Sequence, residues 1–161
     1  MDAKSTIVVG IDGSTASARA LGWAADRARL AGSRLRVVMA WRSSRAEEWP
    51  AQQREFGDEG LESRIMLRST LAQVLGKSPD VEVTSKAIEG PPARVLLDEA
   101  ADSSLLVLGD RGVGGFAGLR LGSVGLQCVM DAPCSVIIVR AQHSESWGTR
   151  PPTPLEAKAI S

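Results

Sequence analysis

The residues of this chain best suited to chemistry are glycines. Gly109, Gly112, Gly114, Gly115, Gly118 and Gly122 fall between two apolar runs, Leu105 to Leu108 and Val136 to Val139, and Ser123 follows the last glycine of the group. Each run has the composition of a buried parallel strand. Glycine permits positive backbone torsions and a close approach of main chain to ligand. A strand feeding such a loop, which then opens a helix, aims backbone amides past the carboxyl end of a sheet. Free amides at a helix start, aided by the helix dipole, make an anion site, and phosphate is the usual occupant. On this reading the amides of Gly122, Ser123 and Val124 donate to phosphate and the Ser123 hydroxyl adds a bond. The alternative is a glycine-rich turn with a serine cap and no ligand. Arg111 and Arg120 read equally as electrostatic partners of phosphate or as solvated loop charges.

Written as spacing, Gly109, two residues, Gly112, nine residues and Gly122-Ser123 resembles the nucleotide-binding motif of the universal stress protein family. The ATP-binding branch of that family carries Gly-2x-Gly-9x-Gly-Ser/Thr. The likeness extends to IVVGIDGS near the start, AIEGPP in the middle and APCSVIIVR after the helix, so it covers most of Ile7 to Arg140. The resemblance implies ATP as ligand, with Asp12 at the ribose or adenine region and the Ala40 backbone near adenine. The implied binding set is Asp12, Ala40, Gly109, Gly112, Gly122, Ser123 and Val124. Read from the residues alone, Asp12 could equally be a turn carboxylate capping nearby amides, and Ala40 would attract no attention. Two positions depart from the family pattern. Asp110 stands where a small hydroxyl residue is common, and would repel phosphate if it faced inward; it could also point outward, cap a loop amide or contact a ligand-bound cation. Gly125 stands where serine or threonine is common, and lacks that hydroxyl.

Binding and catalysis separate at this point. The loop is not Gly-x-x-x-x-Gly-Lys-Ser/Thr, so it supplies no Walker lysine, and no water-positioning base is evident. No residue is assigned a catalytic role. Magnesium, if it enters, is held by the ATP phosphates and water rather than by a protein cage. His143 is the sole histidine and sits in a polar tail without positioned partners. Cys128 and Cys134 form neither a CxxC pair nor a dense disulfide framework, and read as reduced structural thiols.

The elements that must position the loop follow from periodicity. Thr6 to Ile11 reads as the first strand, and Ser14 or Ser17 can cap the helix after Asp12-Gly13. Ala18, Leu21, Ala24, Ala25 and Ala28 give that helix an apolar face, and Gly32 ends it. Arg34 to Ala40 is the second strand. Trp41 to Gly60 is polar and reads as a variable loop, in which Trp41 and Trp49 could stack on a base or simply pack. A helix over Leu61 to Leu75 follows, with Leu61, Ile65, Leu67, Leu71, Val74 and Leu75 on its apolar side. Val81 to Ile88 resembles an edge strand. Glu89-Gly90-Pro91-Pro92 opens a helix faced by Ala93, Leu96, Leu97 and Ala100.

A length of 161 residues suits one domain with a sizeable core. Residues 1–141 are expected to form it, with 142–161 a polar, proline-containing flexible tail that includes Trp147, Pro151, Pro152 and Pro154; docking on an unidentified protein partner is the alternative reading of that tail. Equal numbers of basic and acidic residues, 19 each, give no reason to expect a duplex nucleic-acid surface or a polybasic membrane anchor. No secretion-type segment or spanning-length apolar run is present in the sequence, so cytoplasmic residence is expected. The fold class is α/β: an open, doubly wound sheet of five mainly parallel strands with helices on both faces. The resemblance implies strand order 3-2-1-4-5, and a homodimer through the final strand, Ser135 to Val139. The expected function is an ATP-binding stress-response module. The alternatives are a weak magnesium-dependent ATP hydrolase and a nucleotide-independent dimeric scaffold.

Overall fold

Thr6–Ile11 forms strand β1, whose unbroken apolar run requires cover on both faces. The structure, a computed structural model, describes residues 5–42, 58–112 and 121–140, with the backbone alone for residues 58 and 59. After β1 come helix α1 (Thr15–Ala31), β2 (Arg34–Trp41), α2 (Asp58–Leu75), β3 (Val83–Glu89), α3 (Pro92–Glu99), β4 (Leu105–Gly109), α4 (Ser123–Asp131) and β5 (Ser135–Val139). The strands make one sheet in the order β3-β2-β1-β4-β5, and every pairing is parallel. Order reverses between β1 and β4. Parallel strands diverging from that point leave a crevice at their carboxyl ends, where open α/β sheets take ligands.

Successive β1 residues face opposite sides, so two cores form. Ile7, Val9 and Ile11 pack with the α1 alanines, Leu35, Val37 and Leu67. Val8 packs with Val38, Leu96, Leu106 and Leu108 under α3 and α4. Helix α1 starts where the Ser14 hydroxyl accepts from the Ser17 N–H at 3.1 Å, and stops at Gly32 in the left-handed conformation, φ 62°. Its alanine face lets it lie close on the sheet. A Cβ built on Gly109 would sit 2.7 Å from the Ala16 carbonyl carbon, so only glycine fits at the end of β4.

Three expectations need correction. Helix α2 begins at Asp58, and its inner face is Leu67, Leu71, Val74 and Leu75; Leu61 and Ile65 are 58% and 59% exposed. At about 100° per residue, Ile65 lies about 160° around the helix from Leu67 and Leu61 about 120° away, so the inner stripe excludes them. Trp41 belongs to β2 rather than to a loop, opposite Glu89 in register, because the ladder with β3 runs one residue beyond Ala40. Its ring lies over Gly60, where an added Cβ would be 2.9 Å from Cζ2, so Trp41 packs on α2. Finally, β3 runs from Val83 to Glu89 instead of Val81 to Ile88, following its register with β2. Trp49, Gly114, Gly115, Gly118, Arg120 and the tail 142–161 lie outside the described residues.

Candidate functional site: a cavity at the strand crossover

At the end of β1 the chain turns sharply through Gly13, whose φ of 83° suits glycine. The turn is closed by the Ser14 N–H, which donates to Asp12 Oδ1 at 3.0 Å, while the Asp12 N–H donates to Ser17 Oγ at 3.3 Å. Asp12 is thereby both a turn carboxylate and a group held at the crevice. The Ser14 hydroxyl donates to the Arg111 carbonyl at 3.4 Å, tying this turn to the segment after β4. Gly112 allows the two to meet: a Cβ there would sit 2.7 Å from Asp12 Oδ2.

Beyond β4 the backbone is anchored twice. The Asp110 N–H donates to the Val139 carbonyl at 3.1 Å, and the Gly122 N–H donates to the Asp110 carbonyl at 3.0 Å. Gly122 caps α4 in an extended conformation with no side-chain bond to the helix start. The first-turn amides of an α-helix have no intrahelical acceptor, and among the described residues the amides of Ser123, Val124 and Gly125 find none elsewhere. They are left open at the positive end of the helix dipole.

Those amides border a cavity of 520 Å³, a size ordinary for a small-molecule site. Asp12, Ala40, Gly109, Gly112, Gly122, Ser123 and Val124 all line it, so the structure brings the whole sequence-derived set together. Its walls are apolar on one side, from Ile11, Val38, Ala40, Pro92, Leu96 and Leu108, and rich in backbone amides on the other. Sequence reasoning missed Gly10, Val38, Leu96 and Leu108. A glycine inside an apolar strand was the available signal for Gly10, since a Cβ there would meet Leu96 Cδ2 and Leu108 Cδ2 at 2.8 Å each.

The two departures from the glycine-loop pattern have distinct structural outcomes. At Gly125 a Cβ would come within 2.8 Å of Leu121 Cδ1, so a leucine side chain fills the space where a hydroxyl residue would begin. Asp110 does not point outward: it is 4% exposed and lines the cavity. The ion pairs that shift acid strength lie elsewhere. Arg36 holds the Asp102 carboxyl below its ordinary value, and Arg29 does the same for Asp80. Burial pushes the Cys128 thiol up to about 11, which keeps it protonated and inert. Among the described lining residues the ionisable side chains are Asp12, Asp110 and Arg111, with neither lysine nor histidine.

Residues 5–140 match the family model described as the universal stress protein family. The chain belongs to that family. It is 33% identical to universal stress protein Rv2623 of Mycobacterium tuberculosis (strain H37Rv) over 141 residues, which is 85% of this chain and 46% of the relative. This universal stress protein chain thus spans about half the length of the curated relatives it matches. Its fold is similar to that of UspA from Lactobacillus plantarum, with TM-score 0.72, 24% identity and coverage of 86% of this chain and all of the other. A solved universal stress protein in complex with cAMP is 26% identical, with TM-score 0.64 over 86% of this chain and 98% of that one. No helix among the described residues is long and apolar enough to cross a membrane.

Proposed function

We propose that the cavity binds an adenine nucleotide, ATP by preference, and that its occupancy is the signal this stress-response module transmits. The observation that carries the reading is the open first turn of α4, three amides without acceptors among the described residues, facing an apolar-walled cavity. Phosphates would take those amides and the Ser123 hydroxyl. The base would lie against Val38, Ala40 and Leu108, and the ribose beside Asp12. The cAMP complex of a structural neighbour supports a nucleotide as the class of ligand. Any magnesium would arrive with the phosphates. Binding moves a conformational balance only by preferring one state.

We read the second half of the mechanism at the β5 edge. Val136, Ile137, Ile138 and Val139 are only half-buried there, and Leu126, Val129 and Met130 of α4 are exposed nearby in sequence. An apolar edge of this kind favours pairing, which supports a homodimer through Ser135–Val139. Sedimentation of the intact chain is expected at twice the monomer mass; a monomer at working concentration would remove this part. Free Cys128 and Cys134 support a reducing, cytoplasmic setting.

The nucleotide site is tested by titrating ATP against the intact protein and a Gly122→Asp variant. A Cβ on Gly122 would meet nothing nearer than 3.9 Å, and aspartate is a good helix cap, so the variant should fold. Its carboxylate would occupy the α4 amides in place of phosphate. Affinity for ATP is expected to fall about a hundredfold, the scale of a few charge-assisted bonds. Equal affinity in both folded proteins contradicts the site.

A further inference from the structure

Glycine is a poor helix former, and inside a helix it often marks space that another group occupies. Gly125 is such a residue: it stands in the first turn of α4 and is buried. A Cβ built on it would lie 2.8 Å from Leu121 Cδ1 and 3.4 Å from Leu121 Cγ, with Ile138 Cδ1 of β5 at 3.8 Å. The leucine thus rests directly on the glycine backbone, beside the last strand.

Leu121 is also the residue just before the helix cap. A hydrophobic side chain in that position commonly packs on the first turn and fixes the angle at which the chain enters the helix. The cap itself, Gly122, has no side chain to bond the helix start. Its N–H donates to the Asp110 carbonyl at 3.0 Å, and its carbonyl accepts from the Leu126 N–H at 2.9 Å. One backbone bond to the segment past β4 is a pivot; a side chain seated on the first turn removes the rotation. Gly122, Ser123, Val124 and Gly125 line the cavity, whereas Leu121 is not among the described lining residues. Leu121 therefore acts on the α4 amides from behind.

We propose that Leu121 is a positioning residue for the phosphate end of the cavity: by packing on Gly125 it holds the amides of Ser123, Val124 and Gly125 at one angle toward the ligand. The inference rests on the nucleotide reading above and adds what keeps its phosphate donors in place. Donors fixed before binding spare the ligand the cost of ordering them. Leu121 and Gly125 form a matched pair. A side chain at position 125 unseats the leucine, and removal of the leucine frees the entrance to pivot.

The experiment titrates ATP and adenosine into the full chain, into Leu121→Ala, Leu121→Met and Gly125→Ala, and into the Leu121→Ala/Gly125→Ala double variant. Adenosine carries no phosphate, so it reports folding and the nucleoside half of the site. Leu121→Ala is expected to weaken ATP binding about tenfold with adenosine affinity unchanged. Leu121→Met, of similar volume, should keep ATP affinity within about twofold of the parent. Gly125→Ala should also weaken ATP about tenfold, with adenosine again unchanged. Alanine favours the helix, so that loss does not come from a weaker α4. In the double variant the added methyl meets no leucine, and ATP affinity should fall no more than about twofold below that of Leu121→Ala. Unchanged ATP affinity in Leu121→Ala overturns the inference. Equal losses of ATP and adenosine do the same, since they would make Leu121 a general packing residue. So do losses that simply multiply in the double variant, since the two residues would then act separately. Failure of the parent to bind adenosine or ATP under any condition overturns the nucleotide reading itself.

Discussion

The two faces of the sheet are covered by helices of unequal length. On one side α1 and α2 span 17 and 18 residues; on the other, α3 and α4 span 8 and 9. The long pair covers its face with α1 alanines and fully buried Leu21, packed over Leu35 of β2. The short pair covers Val8, Val38 and Leu106 but leaves the carboxyl ends of the strands open, and the cavity lies over that gap. The larger buried cluster thus lies on the α1/α2 side, while the α3/α4 side trades burial for room. A site that must admit a ligand is drawn from the less densely packed part of a fold.

The contrast can be broken most forcefully from the sealed side. Leu21→Ala removes a fully buried side chain and should cost about 2–5 kcal/mol, read by denaturant unfolding, with ATP affinity of the folded fraction unchanged. Gly109→Ala, at the seam between the sides, forces a Cβ against the Ala16 backbone and should cost about 1–3 kcal/mol in the same assay. Gly10→Ala sharpens the comparison on the open side. Its Cβ meets only the tips of Leu96 and Leu108, which can swing into the cavity, so unfolding should shift by about 1 kcal/mol or less. Adenosine binding should nevertheless weaken, by about tenfold, because those tips then fill the space for the base. If Gly10→Ala destabilises as much as Gly109→Ala and leaves adenosine binding intact, the open side is not a ligand space.

The smallest effect lies at neither cavity nor core. Asp102 is exposed and its carboxyl is held low by its bond to Arg36, 2.9 Å from Oδ1. A carboxyl whose folded value is depressed adds stability above its unfolded value, about 4, and loses it as pH falls through the lower folded value. Asp102→Asn should therefore flatten the acid limb of melting temperature against pH slightly and leave ATP binding alone. A new pH dependence of melting temperature near neutral pH would contradict this.

Much of the arrangement was legible in the chain because local rules and the fold agree. The Ser14 cap, the Gly32 stop and the glycine-loop helix start were readable from spacing, and each forms as its chemistry requires. Helix α2 was misread at its first turns, because Leu61 and Ile65 share apolar character with the inner stripe without sharing its angle. Composition cannot distinguish an exposed leucine from a buried one when a helix carries both. Trp41 was misplaced for a related reason: where β2 ends depends on how far β3 runs beside it.

By itself, the sequence determined the alternation of strands and helices and the caps that bound α1, since these depend on neighbours a few residues away. Only the tertiary structure decided that Asp110 faces inward, that Gly112 comes against Asp12, and that Leu121 fills the space beside Gly125. Those outcomes depend on register between β1 and β4 and on packing between segments far apart in the chain. One residue's slip in that register would turn the same aspartate to the other face of the sheet.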